Sequence, residues 1–135
     1  MPETGKMEII IEGDHFSDLD GFYEEMNRLF MKDVDWRMGN SLDALNDVLY
    51  GGYGVYNPGE PVLVLWRHVS GSRKDLGAEE TKRNYQMKID QGYPYNVTLF
   101  KEKLAAIEDG TGPTLFDIIL EIFTDHKNIE LRLED

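Results

Sequence analysis

The sequence predicts an α/β fold in which a three-stranded parallel sheet packs against helices. Three observations carry that expectation. Short apolar, β-branched runs stand near residues 7–11, 62–66 and 129–133, and between them lie segments with apolar residues at helical spacing. Strands that alternate with helices in this way are joined as parallel neighbours by right-handed crossovers. A chain of 135 residues that is 41% hydrophobic suits a single domain over 1–135 with its own core.

The elements follow in order. Met7-Glu8-Ile9-Ile10-Ile11 reads as a strand ending at Gly13, and Ser17-Asp18-Leu19-Asp20 looks like a capping box. The helix that follows carries Leu19, Phe22, Tyr23, Met26, Leu29 and Phe30 on one face. Lys32 to Met38 is a polar connection containing Trp36. Asn40-Ser41 signals a second helix, with Leu42, Leu45, Val48 and Leu49 along one stripe and Gly51-Gly52 as a left-handed stop. After the turn-rich GGYGVYNPGEP, the run Val62-Leu63-Val64-Leu65-Trp66 reads as a central strand, covered on both faces or by a thick helical layer.

Beyond the central strand, Leu76 to Ile89 and Val97 to Ile107 are each expected to be helical, separated by the turn Gln91-Gly92-Tyr93-Pro94. Residues 67–107 therefore form a helical elaboration rather than a second domain, with Tyr85 and Phe100 among its buried groups. Gly110-Thr111-Gly112-Pro113 breaks the chain and Thr114 caps a last helix, whose apolar face is Leu115, Ile118, Ile119, Ile122 and Phe123. Alternating Ile129-Glu130-Leu131-Arg132-Leu133 closes the sheet. Neither an internal repeat nor a low-complexity segment is visible.

Charge narrows the function. The net charge is −12, and it is uneven: residues 1–50 carry twelve acids and four bases, and residues 108–135 carry eight acids and two bases. Residues 51–107 carry six acids and eight bases. Acidic ends that converge would repel nucleic acid and draw in a basic protein; solubility alone is the plainer reading. Cysteine is absent, which excludes disulfides and thiolate metal sites. With no signal-peptide pattern and no long apolar run, a soluble cytoplasmic protein is expected. No phosphate-binding loop occurs, and His15, His68 and His126 are isolated from one another in sequence. His126, near the end of the last helix, reads as packed or dipole-stabilised. Sequence thus points to no catalytic residue, no metal ligand and no cofactor.

The stretch GNSLDALNDVL, residues 39–49, is the most informative. Its apolar stripe faces inward, while Asp43 and Asp47 lie four apart on the other side. Like charges at that spacing oppose the helix by about 0.2–0.5 kcal/mol. The helix dipole helps Asp43, near the start, more than Asp47. With the glycine that follows it, this stretch resembles the signature helix of the barstar family, intracellular inhibitors of the ribonuclease barnase. Ile9-Ile10-Ile11 followed by Asp18-Leu19 resembles the family's start, and Leu63-Val64-Leu65-Trp66-Arg67 its central strand. Leu115 to Phe123 resembles its last helix before a closing strand. The likeness covers most of residues 7–66 and 114–133. The middle is longer than in barstar, although Ser72-Arg73-Lys74-Asp75-Leu76-Gly77 looks like the longer barstar-related members.

The resemblance implies a partner-binding edge. In the family, this helix and the segment before it enter a ribonuclease active site, where acidic side chains stand in for RNA phosphates. Asp43 and Asp47 match those positions, Gly39 matches the glycine before the helix, and Asp125 and Ile122 match an acidic and an apolar contact. Asp43 is equally open to a helix-start role. Three departures stand out. Asn46 replaces an aromatic contact, Ser41 replaces an asparagine, and Trp36-Arg37-Met38 occupies the approach where barstar has two tyrosines. Trp36 is either a new aromatic anchor or a plug in the core. Arg37 opposes a cationic target unless it turns away or pairs with an acid.

The expected function is inhibition of a basic ribonuclease or related nuclease toxin, by a non-enzyme that is monomeric when free. It would bind neither nucleic acid nor membrane, and no small-molecule substrate. The alternatives are an acidic interaction domain with a different basic partner and, third, a small hydrolase using clustered carboxylates and His68.

Overall fold

The computed structural model describes residues 7–51 and 55–135. Its elements run β1 (Met7–Glu12), a 3-10 turn (Gly13–His15), α1 (Leu19–Phe30), α2 (Leu42–Leu49) and β2 (Val62–Arg67). Then come α3 (Val69–Asp75), α4 (Ala78–Gln91), α5 (Val97–Glu108), α6 (Leu115–Asp125) and β3 (Ile129–Leu133). The sheet order is β1-β2-β3 and both pairings are parallel, with Met7 opposite Val62 and Val62 opposite Ile129. This is the expected α/β architecture, with the apolar run Val62–Trp66 in the centre.

Side chains alternate along β2. Val62, Val64 and Trp66 are fully buried, while Leu63, Leu65 and Arg67 are half-buried. One face of the sheet is therefore sealed and the other only partly covered, so of the two expectations, cover on both faces or a thick helical layer, the second is the nearer. The sealed face centres on Trp66. Its ring stacks on Phe22 of α1 at 5.8 Å and meets Phe116 and Phe123 of α6 edge-on at 5.4 and 6.3 Å. Burying aromatic surface of this size contributes roughly 2–3 kcal/mol per ring. The indole N–H would be costly if left unpaired, and it donates to the Ser72 hydroxyl at 3.0 Å, itself fully buried.

Helix α1 begins at Asp18, whose carboxylate accepts from the Gly21 N–H at 2.8 Å. The cap thus lies one residue later than a box opened by Ser17. Buried Asn27 then organises the way to α2: its amide donates to the Tyr23 carbonyl at 3.0 Å, and its oxygen accepts from the Met38 N–H at 2.8 Å. Met38 is thereby pinned in the core just before Gly39. At the far end of α2, the Tyr56 hydroxyl donates to the Leu49 carbonyl at 2.7 Å. Gly51 holds a left-handed φ of +93° under the Tyr56 ring, where a Cβ would meet ring atoms at 3.0 Å. Gly52, the second glycine expected at that stop, lies outside the described residues.

The segment after β2 is helical, but its division differs from the sequence reading. Residues 69–75 form α3, which has no apolar periodicity, and Leu76 caps α3 instead of opening the next helix. Helix α4 starts after Gly77 and is clipped to both sides. The Thr81 hydroxyl accepts from the Leu115 N–H at 2.8 Å, and Glu80 accepts from the Leu19 N–H at 2.7 Å. Tyr85 is buried as expected, 5.7 Å from Phe100. Phe100 is only half-buried, and Tyr93 in the turn is 94% exposed. The aromatic turn therefore packs less than its composition implies.

Candidate functional site

Helix α2 is built to show one side. Ser41 caps it, its hydroxyl accepting from the Ala44 N–H at 3.0 Å. Leu45, Val48 and Leu49 are buried, so the Asp43 and Asp47 side is turned to solvent, and both aspartates are exposed. Gly39 is exposed too, and a Cβ there would meet only Ala44, at 3.9 Å. Its smallness thus serves no close contact among the described residues. Trp36 is 53% exposed, which removes the core-plug alternative. Arg37 pairs with Glu24 of α1, so its charge is met within the chain.

Asn46 is half-buried and faces inward. The Asn46 carbonyl oxygen can only accept, so the His126 Nε2–H donates to it, at 2.8 Å. That contact fastens the middle of α2 to the end of α6, across 80 positions of sequence. Tyr50 lies edge-on to the same imidazole at 4.6 Å and is itself 60% exposed. Burial lowers the His126 pKa from its ordinary value, against a smaller upward pull from Asp125. Either the Nε2–H tautomer or the imidazolium can make this bond, and burial favours the neutral one. Asp125 at the end of α6 is exposed and Ile122, one turn earlier, is half-buried.

The two aspartates of α2 do not share one environment. Asp43 lines a groove of about 570 Å³ between the starts of α1 and α2 and the α4–α5 pair. Across it stand Lys88 and Lys103, with the Lys88 ammonium 4.9 Å from the centre of the Phe100 ring. Burial lowers the Lys88 pKa, Lys103 adds to that, and Asp43 opposes both. Asp47 is not among the groove residues. Of the residues expected to act, the structure joins Asn46 to the end of α6 that carries Asp125, and places Asp43 at the groove. Sequence had singled out neither His126 nor Tyr50 as supports of this edge; only their contacts across the fold reveal them.

Among the described residues, the donor set suited to a metal is Glu12, Asp14 and His68, which belongs to a different part of the molecule. Nor is any described helix long and apolar enough to cross a membrane.

Fold and edge together define a small parallel α/β protein with an exposed acidic helix. A family model described as Barstar (barnase inhibitor) matches residues 7–86, more than half of the chain, and the chain belongs to the barstar family. Searches of curated proteins and of solved structures give no match. The family's description is that of an inhibitor, not an enzyme.

Proposed function

We propose that this chain inhibits a basic ribonuclease or related nuclease toxin by seating the exposed side of α2 in the target's active site. One observation carries the reading: a helix from the barstar-matched region turns two carboxylates outward while Leu45, Val48 and Leu49 turn in. A nuclease site is built to hold phosphates, so carboxylates can take the same cationic positions through charge-assisted hydrogen bonds. Asp47 is the central contact and Asp43 stands beside it. Asp125 and Ile122 extend the surface, and Trp36 supplies an aromatic contact in place of the one Asn46 lacks. Gly39 and Ser41 let the partner approach the helix start. The protein acts as a cytoplasmic monomer without a cofactor, one domain over 1–135, and the unequal charge along the chain steers the basic target toward it.

Asn46, turned inward onto His126, favours a target other than barnase, because that position offers no aromatic face. The test is to titrate the purified protein against barnase and against a secreted basic nuclease encoded beside its gene, following RNA cleavage. Stoichiometric loss of cleavage with either enzyme supports inhibition. Tight binding to a basic protein without loss of its activity would instead establish an interaction domain.

A further inference from the structure

We propose that Glu12, Asp14 and His68 form a binding site for a divalent transition-metal ion of the zinc type at the carboxyl edge of the sheet. In open parallel sheets, that edge is where ligands gather, since loops from neighbouring strands meet there. Glu12 ends β1, Asp14 follows two residues later, and His68 follows the last residue of β2. The three offer ligand atoms all within 4.8 Å of one another, with His68 Nε2 3.7 Å from an Asp14 oxygen.

The backbone forces this meeting. A Cβ on Gly13 would lie 2.5 Å from the Arg67 carbonyl oxygen and 2.8 Å from that of His68, so only glycine permits the two strand ends to touch. Glu12 and Asp14 flank that contact. His68 adopts a left-handed φ of 55°, a region that histidine, like asparagine and aspartate, enters more readily than other side chains.

A second, independent observation points to a cation. Glu12 Oε1 is shut off from solvent and receives no hydrogen bond, alone in this among the buried side-chain oxygens and nitrogens of the described residues. A buried carboxylate oxygen without a donor calls for a water or an ion. Arg67 does not serve it: the guanidinium lies 3.7 Å from the other Glu12 oxygen and the same distance from Glu134. One imidazole nitrogen with two carboxylate oxygens is a donor set for zinc, whose fourth position takes water; magnesium and calcium prefer more oxygens. Zinc ligands stand roughly 2.0–2.2 Å from the ion and, in a tetrahedral site, about 3.4 Å from one another, so a pair at the 4.8 Å limit must close by about 1.4 Å. Asp14 and His68 are exposed and have room to do so.

The test is calorimetric titration of the chelator-treated full chain with Zn²⁺, paired with thermal melting. Saturable binding of one ion per chain and a raised melting temperature are expected, with Mg²⁺ and Ca²⁺ failing to compete. His68→Gly suits the left-handed backbone and so preserves the fold. It should weaken binding by about tenfold or more, as should Asp14→Asn. His15→Ala should leave binding unchanged. Absence of saturable binding, equal competition by Mg²⁺, or retention of full affinity in His68→Gly would each overturn the site. Inhibition of a nuclease is a separate readout, so the failure of either proposal is distinguishable from the failure of the other.

Discussion

Glu25 and Asp47 are both helical carboxylates, and the chain treats them in opposite ways. Glu25, on α1, is 97% buried and fully served: it accepts from the Glu12 N–H at 3.0 Å, from Arg28 at 2.7 and 2.8 Å and from His15 at 3.1 Å. Burial raises its pKa, but those hydrogen bonds and the charge of Arg28 outweigh that and hold it below the ordinary value. Asp47, on α2, stands in solvent four residues from a like charge. A carboxylate that stabilises its own fold collects partners, whereas one held out with none among the described residues contributes nothing to the fold and is left for the proposed cationic target. The same residue chemistry is spent inward in one helix and outward in the next.

The sharpest way to break that contrast is Asp47→Ala. It should weaken nuclease inhibition by about 2–5 kcal/mol, the range for truncating one partner of a desolvated charge pair, for which barnase with barstar is itself the worked case, so the figure is borrowed. Thermal unfolding should hardly change, apart from relief of the repulsion with Asp43. Unaltered inhibition would remove α2 from the binding account.

Glu25→Ala should do the reverse, lowering stability by about 2–3 kcal/mol while the folded fraction inhibits normally. The cost is limited because Arg28 is half-exposed and can return to water. The depressed pKa of Glu25 adds a pH signature. Its contribution is fully present above the unfolded carboxylate value of 4.5 and is lost as pH falls through the lower folded value. Denaturant melts from neutral pH downward should therefore show a loss below 4.5 that is smaller in Glu25→Gln, the remainder including Glu80, whose pKa is lowered too.

Asn46→Ala sits between the two classes. Losing the bond to His126 should cost about 0.5–1.5 kcal/mol of stability and, by loosening α2 against α6, some inhibition as well. Inhibition lost without any change in melting would make Asn46 a direct contact instead.

Asp43→Ala should have only a small effect on stability. Losing the helix-start charge costs about 0.3–1 kcal/mol, and ending the repulsion with Asp47 returns about 0.2–0.5 kcal/mol. Its effect on inhibition should be smaller than that of Asp47→Ala, since Lys88 across the groove already attracts it.

What the sequence made legible was whatever has a local signature. The three strands are runs of β-branched and apolar residues, and α1, α2 and α6 have wide apolar faces. Helix α3 escaped because Val69–Asp75 carries only Val69 and Ser72 inward, too short a pattern for any periodicity. The break at Leu76-Gly77 was hidden because Leu76, fully buried, fits a helical face whichever helix it belongs to. At the α2 edge, sequence spacing placed Asp43 and Asp47 on the open side. Asn46 and His126 each stood out in the sequence but were not paired by it, because their contact depends on how α6 crosses α2. The meeting of Glu12 and Asp14 with His68 was equally hidden, since parallel pairing of β1 and β2 creates it.

The chain has two tryptophans, and the fold separates them: Trp66 is fully enclosed, while Trp36 is 53% exposed on the approach to α2. The protein consequently carries two optical probes in different solvents. Emission from Trp66 is set by the apolar core and should move to the red only when the core opens. Trp36 already emits from a wet surface and should move to the blue if a partner dries it. With Trp36→Phe the remaining fluorescence reports folding, and with Trp66→Phe it reports docking, so one spectrometer can follow the two events on one sample.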